Sequence, residues 1–229
     1  MSSYRFYRPY GRALYAVFAI ILGLLIFFVF IGLSEAAFER IGLTKYQAVA
    51  ILLATLLGSY INIPLRRIAR EQSAVELDEV RVFWVTYQVP RYVTKEVSTV
   101  VAANLGGAII PSAVCLYLLG SHLDLLAEAV FATVITATVV HMFARKVYGV
   151  GIVAPALVPP IVAALVAYLV SPGSPAVVAY VAGTLGTLIG ADLTNLLGIE
   201  NLGSPIASIG GAGKFDGIFL SGIIAVLLV

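Results

Sequence analysis

The chain has 229 residues and a net charge of +2, and it is 61% hydrophobic but only 11% charged. A soluble domain of this size carries about 25% charged residues, so the composition excludes an ordinary soluble protein and predicts one solvated by lipid. One cysteine, Cys115, excludes an internal disulfide, and the small, dispersed positive charge does not indicate nucleic-acid binding.

Seven apolar segments of membrane length, or nearly so, follow one another along the chain. They lie at about 13–33, 46–63, 97–119, 125–143, 148–170, 175–198 and 213–229. The predicted fold class is therefore all-α, with residues 1–229 forming a single integral membrane domain. We expect a polytopic bundle of about seven transmembrane helices.

The longest linker, 64–96, alternates β-branched and aromatic residues around 80–89, which predicts a short strand or hairpin. Lysine and arginine indicate the orientation of the chain. With the N-terminus inside, twelve of the 14 basic residues face the cytoplasm, and only Arg40 and Lys45 lie outside. The sequence therefore predicts an N-in, C-out protein of the cell (inner) membrane, with a short cytoplasmic β-like segment between its second and third helices.

Asp192 and Asp216 lie in the last two predicted spans, where an ionisable side chain is costly and indicates a functional site. A rise of about 1.5 Å per helical residue places both within several ångströms of one level, roughly 10 Å from the cytoplasmic side of the core. Antiparallel neighbouring helices could then bring the two carboxyls into contact. The alternative for Asp216 is an ordinary acid at a helix N-terminus, where a negative charge is favourable.

Other polar or helix-breaking residues fall near the same depth. Asn104, Asn195 and His141 are predicted as supporting polar residues, and glycines and prolines interrupt the segments 106–111 and 155–160. Backbone groups freed at such breaks must face protein or water, so the pattern predicts a small wet cavity open to the cytoplasm. The alternative interpretation is that the two asparagines are interhelical hydrogen-bond partners and that His141 lies at the membrane boundary.

The last third of the chain resembles presenilin and signal-peptide-peptidase type intramembrane aspartyl proteases. Asp192 in GADLTNLL corresponds to the first catalytic aspartate of that family, and Asp216 in GGAGKFDGIFLSG corresponds to the second, which the family carries in a G-x-G-D motif. The resemblance implies peptide-bond hydrolysis by an aspartate dyad. It also implies a substrate-binding set that consists of Pro155, Ala156, Leu157, Gly211 and Gly213.

This sequence departs from the protease pattern in four respects. The first aspartate lacks the usual preceding tyrosine, and only about 24 residues separate the two aspartates. Lys214 and Phe215 separate Gly213 from Asp216, and the Pro-Ala-Leu sequence precedes the aspartates instead of following them. As a whole, the chain also resembles an uncharacterised prokaryotic family of polytopic membrane proteins. That resemblance rests on NIP at residue 62, on ANLGGAIIP and on FDGIF.

Three functions stay open at this stage. The first is an intramembrane aspartyl protease or an inactive derivative of one, in which two neighbouring carboxyls share one proton. The second is a proton- or sodium-coupled small-solute transporter, because broken helices commonly line transporter sites. The third is a membrane scaffold whose 66–96 segment binds a partner.

The predicted partners are membrane lipids and, for a protease, transmembrane peptide substrates. We expect no nucleic acid, and the oligomeric state is left open. No cofactor or metal site is predicted, because two histidines and one cysteine provide few of the usual ligands.

Overall fold

The computed structural model describes residues 9–147, 151–196, 205–211 and 217–229; for 9–13, 70–74, 82 and 95–97 it describes the backbone alone. Within these residues the helices are α1 (Pro9–Arg40), α2 (Lys45–Gly58), α3 (Ile110–Ser121), α4 (Leu126–Phe143), α5 (Val158–Val170), α6 (Pro175–Thr187) and α7 (Gly217–Leu228). The strands are β1 (Asn62–Val82), β2 (Val85–Asn104), β3 (Arg145–Val147), β4 (Gly151–Val153) and β5 (Ile206–Ile209). The prediction of a mostly helical protein is confirmed. The all-α class is wrong, because these strands form two sheets.

Three helical segments of the described chain are long and apolar enough to cross a membrane, namely Leu14–Arg40, Leu123–Phe143 and Pro175–Asn195. Four further apolar helices have only 10–17 residues. A helix of twelve to fourteen residues is about 18–21 Å long, which is shorter than a hydrocarbon core of about 30 Å. The apolar helices therefore indicate a membrane protein, but several of the predicted spans are not full-length helices.

Two of the predicted membrane spans begin with strand or turn residues instead of helix. In the span predicted at 97–119, β2 continues to Asn104 because its β-branched residues pair with strands on both sides. In the span predicted at 148–170, β4 and a turn come first, and α5 begins at Val158. Its two prolines then fall in the first helical turn, where the missing N–H groups cost no hydrogen bond.

The linker predicted as a short β-like segment is a long antiparallel hairpin. At the base of the hairpin, Asn62 pairs with Asn104. At the outer end, the turn connects Val82 with Val85, which are the last pair. The strands have 21 and 20 residues, so the hairpin is roughly 65–70 Å long at about 3.3 Å per residue. β5 joins it in parallel at the base, where 206–209 pair with 100–103 of β2 and give the strand order β1-β2-β5.

The helical core is centred on α6, which contacts α3, α4, α5 and α7. Small residues allow the close approach. Gly183 faces the backbone of α7 at Ser221, and Gly190 faces the backbone of α4 at Ala137, so a Cβ at either glycine would overlap the neighbouring helix. In contrast, α1 is exposed over 14–29 and is buried only near its end, where the Phe38 ring lies 6.0 Å from that of Tyr180.

The hairpin base is held against α2 by a glycine. Asn104 is followed by a π-helical turn, Leu105–Ile109, that leads into α3. Within this turn Gly106 is buried against the last turn of α2, and a Cβ there would overlap the carbonyl oxygen of Thr55 and the amide nitrogen of Ser59. Those two backbone groups are hydrogen-bonded to each other at 2.9 Å, so a side chain at 106 would disturb α2 itself.

We predict that Gly106→Ala destabilises the protein by about 1–3 kcal/mol, the usual cost of forcing extra atoms into a packed interior. Thermal unfolding of the detergent-solubilised chain, followed by circular dichroism, measures the change. The matched control is Gly120→Ala in α3, where a Cβ meets nothing within 4 Å. Alanine is the better helix former, so this control should be neutral or slightly stabilising. Equal midpoints for the two variants would contradict the close contact between the π turn and α2.

Candidate functional site

Asp192 lies in a distorted extension of α6. After Thr187 the helix widens into a π turn, Leu188–Asp192, and then tightens into a 3₁₀ turn, Leu193–Asn195. Such π turns are uncommon and occur often at functional sites. The side chain of Asp192 is partly buried, and its Oδ2 accepts a hydrogen bond of 2.8 Å from the amide N–H of Gly210. The carboxylate is therefore oriented by the loop that follows β5.

That loop makes two further contacts close to Asp192. Gly210 and Gly211 have φ angles of 81° and 78°, in the left-handed region that favours glycine. A Cβ at Gly210 would lie 2.6 Å from the amide nitrogen of Ala108, so this residue also packs tightly on the π turn before α3. Gly211, a predicted substrate-binding residue, is next to the residue that binds Asp192, and its carbonyl oxygen lies 2.6 Å from the Ser208 hydroxyl.

Asn104 is a hydrogen-bonding centre at the hairpin base. Its side chain is fully buried. Its Nδ2 donates to the Ser59 carbonyl oxygen at 2.7 Å and to Asn62 Oδ1 at 3.1 Å, and its Oδ1 accepts from the Gly107 N–H at 2.7 Å. The Ser208 hydroxyl lies 2.6 Å from the same Asn62 oxygen. Asn104 thus joins the end of α2, the start of β1 and the π turn before α3, and Asn62 extends this network to β5.

His141 and Asn195 come together at the end of α4. His141 Nδ1 lies 2.8 Å from Thr194 Oγ1 and 3.4 Å from Asn195 Nδ2. The Thr194 hydroxyl donates to the Gly190 carbonyl oxygen at 2.9 Å. Asn195 Nδ2 also donates to the Ala191 carbonyl oxygen at 3.0 Å. This cluster stabilises the distorted segment that carries Asp192.

Pro155, Ala156 and Leu157 form an exposed turn, not part of a helix. The turn is closed by a 3.3 Å hydrogen bond from the Val158 N–H to the Pro155 carbonyl oxygen. The preceding strand, β4, contacts the π turn 188–192. The three residues therefore lie one residue after a strand that contacts the Asp192 segment.

Two predicted site residues, Asp216 and Gly213, lie outside the described residues. The neighbouring α7 is described from Gly217, and its Ser221 Oγ accepts a hydrogen bond from Thr187 Oγ1 at 3.0 Å. This contact fixes the register of α7 against α6. It could not be found from the sequence, since buried serines and threonines in apolar helices are common.

Other members of the site were also missed by sequence reasoning. Gly210, Ser208 and Asn62 contact the predicted residues. In the sequence, Asn62 carried a signal only as part of the NIP resemblance, and the glycine pair at 210–211 only as a turn. Among the described residues, no group of three histidine, cysteine, aspartate or glutamate side chains is arranged to hold a metal ion.

Comparison with known proteins gives a family match. A family model described as "Protein of unknown function (DUF1614)" matches residues 56–228. No curated protein and no solved structure matches the chain. The resemblance to an uncharacterised family is consistent with the match, whereas the resemblance to presenilin-type proteases gains no support from it.

We predict that Asn104→Ala destabilises the protein by about 2–5 kcal/mol, because each buried group left without its partner costs about 1–3 kcal/mol. Thermal unfolding in detergent measures the loss. Thr138→Ala is the control, since this exposed hydroxyl bonds only the Val134 carbonyl oxygen of its own helix and its removal should cost less than about 0.5 kcal/mol. An Asn104→Ala protein as stable as the control would show that the network contributes little.

Proposed function

We propose that this chain, which belongs to the DUF1614 family, is an intramembrane aspartyl hydrolase that cleaves peptide bonds with Asp192 and Asp216. The proposal includes seven membrane crossings, with the N-terminus and the hairpin on the cytoplasmic side. The distribution of basic residues supports this orientation. The short helices are compatible with seven crossings where strands or turns shielded by protein complete the path.

The observation that carries the proposal is the register of α6 and α7. The hydroxyls of Thr187 and Ser221 meet at 3.0 Å. Asp192 follows Thr187 by five positions, and Asp216 precedes Ser221 by five positions. A Cβ at Gly183, earlier in α6, would lie 3.2 Å from the Cβ of Ala225, later in α7, as antiparallel helices require. The two aspartates are thus equally far in sequence from the hydroxyl pair, and this symmetry supports our proposal that they lie at a similar depth.

The surroundings of Asp192 suit an acid–base role. One carboxylate oxygen is held by the Gly210 N–H, and the other makes no hydrogen bond to the described residues. A carboxylate oriented through one oxygen can accept a proton from a bound water through the other. In the sequence, Asp216 comes five residues after Gly211 of the loop that orients Asp192, and this short separation supports the proposed pairing of the two acids.

The chemistry follows from a shared proton. Two carboxyls about 3 Å apart cannot both ionise, so one is a base and the other an acid. The base takes a proton from water while the water oxygen bonds to the carbonyl carbon, and the acid donates its proton to the carbonyl oxygen. Transfer of a proton to the amide nitrogen then allows the C–N bond to break. The exposed turn 155–157 and the outer edge of β5 support this proposal, because an extended substrate could lie along them.

A second candidate is proton- or sodium-coupled transport. It is favoured by two hydroxyls of α4, those of Thr133 and Thr136, which are buried and have no hydrogen-bond partner among the described residues. Buried polar groups without partners are costly, so such groups in a membrane helix favour a hydrated path. Both functions require the aspartates. They are distinguished by whether the protein cleaves peptide bonds or moves ions across the membrane.

We predict that Asp192→Ala and Asp216→Ala each lower cleavage of a membrane-anchored reporter by about a hundredfold to ten-thousandfold, the usual contribution of an acid–base group. The assay uses the full chain in proteoliposomes. Asp124→Ala is the matched control, because Asp124 is an exposed acid in the turn before α4 and should leave the rate unchanged.

Two results would count against the hydrolase. Cleavage retained in either aspartate variant would exclude a dyad. Absence of cleavage, together with an ion or proton flux that is lost in Asp192→Asn, would favour the transporter.

A further inference from the structure

His141 contacts the segment that carries Asp192 from a neighbouring helix. It lies in the last turn of α4, and its side chain is exposed. The ring Nδ1 lies 2.8 Å from Thr194 Oγ1, and the same oxygen lies 2.9 Å from the Gly190 carbonyl oxygen. Gly190 precedes Asp192 by two residues, and Thr194 follows it by two. One hydroxyl therefore connects the ring to both sides of the acid.

The Thr194 hydroxyl has one hydrogen for these two contacts. A carbonyl oxygen can only accept, so both contacts are hydrogen bonds only when the ring provides a hydrogen on Nδ1. A protonated imidazole carries a hydrogen on each ring nitrogen, whereas a neutral ring carries a hydrogen on one of them. Protonation of His141 therefore always completes the chain from the ring through Thr194 to Gly190. A ring without a hydrogen on Nδ1 competes with the carbonyl oxygen for the hydroxyl hydrogen.

The side-chain amide of Asn195 responds in the same direction. Its Nδ2 lies 3.2 Å from the Gly190 carbonyl oxygen and 3.4 Å from His141 Nδ1. A ring nitrogen without a hydrogen accepts from this amide, whereas a ring nitrogen with a hydrogen turns it toward the carbonyl oxygen. The two side chains that donate to Gly190 thus depend on the same ring nitrogen.

The Gly190 carbonyl oxygen belongs to the π turn 188–192, whose shape determines where Asp192 lies. The turn is packed closely on α4, since a Cβ at Gly190 would lie 2.9 Å from the Cβ of Val140. At the end of the turn, Asp192 Oδ2 accepts the 2.8 Å hydrogen bond from the Gly210 N–H. A change in the hydrogen bonds of the Gly190 carbonyl therefore changes the turn and, with it, the contact between Asp192 and Gly210.

Histidine is the side chain that ordinarily changes charge between about pH 5 and 8. In the described part of the chain, few other ionisable groups lie on α4 and on the elements next to it. Near the end of α4 they are Arg145, Lys146 and Asp192, and elsewhere on these elements they are Asp124, Glu128, Tyr168 and Tyr180. Comparison with a variant that lacks only the imidazole separates its titration from theirs.

We propose that His141 is a positioning residue and that its protonation controls the orientation of Asp192. The charged ring donates from Nδ1, so the hydroxyl and the amide both serve the carbonyl oxygen of the π turn. The turn then holds Asp192 against the Gly210 N–H. A ring without a hydrogen on Nδ1 draws both donors away, and this contact loosens. On the topology proposed above the ring faces the cytoplasm, so cytoplasmic pH regulates the acid. The inference rests on the proposed function in treating Asp192 as the reacting acid.

The first test observes the hydrogen bonding of the Asp192 carboxyl directly. Infrared spectra of the full chain in proteoliposomes are recorded at about pH 5 and about pH 8, on either side of the usual histidine range. The bands of this carboxyl are assigned by their loss in Asp192→Asn. His141→Asn places a neutral donor at the position of Nδ1, and His141→Ala removes it. We expect wild type to match His141→Asn at the lower pH and to move toward His141→Ala at the higher pH.

His122→Ala is the matched control. The chain has two histidines, and the Nδ1 of His122 lies 3.1 Å from the carbonyl oxygen of Leu118 in its own helix. The Asp192 bands of this control should follow those of wild type at both pH values. Thr194→Val removes the connecting hydroxyl with little change of shape, so its bands should match those of His141→Ala. The double variant should show no further shift, since both changes interrupt one chain of hydrogen bonds.

Three results would overturn the inference. These are the same pH dependence in wild type and His141→Asn, the same bands in His141→Asn and His141→Ala, and an unshifted spectrum of Thr194→Val. Where the chain cleaves the reporter, kcat of wild type relative to His141→Asn should fall about threefold to tenfold from the lower to the higher pH, the factor that one hydrogen bond contributes, with KM little changed.

The infrared bands need no turnover, so the two proposals fail separately. The expected shifts in a protein that does not cleave would refute the hydrolase and retain the role of His141. Cleavage with unshifted bands would do the reverse.

Discussion

The structure depends on satisfying backbone polar groups where helices end. A membrane gives an N–H or C=O group no water to bond, so each break in a helix must be completed by protein. Several helices of this chain are short, and hydrogen bonds at the ends of two of them fill this need. Asn104 binds the carbonyl of Ser59 after α2 and the N–H of Gly107 before α3. One buried side chain thereby closes two helix ends and fixes the base of the hairpin between them.

The same constraint explains the position of Asp192. Close packing of α6 on α4 and α7, made possible by glycines, buries the helix over most of its length. The helix then widens at 188–192 and brings a carboxylate to the Gly210 N–H. The amide N–H of the loop donates to the carboxylate of the helix, so each of these two polar groups has a hydrogen-bond partner. The pair is positioned by the packing around it, since Gly210 is also held against Ala108.

The apolar character of the chain and most of its helices could be predicted, because long apolar runs have few interpretations. A strand or hairpin was predicted for this segment, but its length was not. The strand residues at its base, such as Val100 and Val101, are as apolar as those of a membrane helix, and pairing with both β1 and β5 decides their conformation. Asp192, Asn104 and Asn195 stood out as polar residues in apolar surroundings. Gly210 and Ser208 did not, since their importance comes from contacts distant in sequence.

β5 connects the base of the hairpin with the segment that carries Asp192. Its residues pair with β2 at the hairpin base, and Gly210, directly after it, holds Asp192. A strand of four residues cannot tilt or slide without changing both contacts, because the register on β2 and the bond to the carboxylate are separated by a single peptide unit. The position of the hairpin base and the orientation of Asp192 are therefore mechanically coupled. The coupling requires no side chain beyond the carboxylate itself, since every other group in it belongs to the backbone.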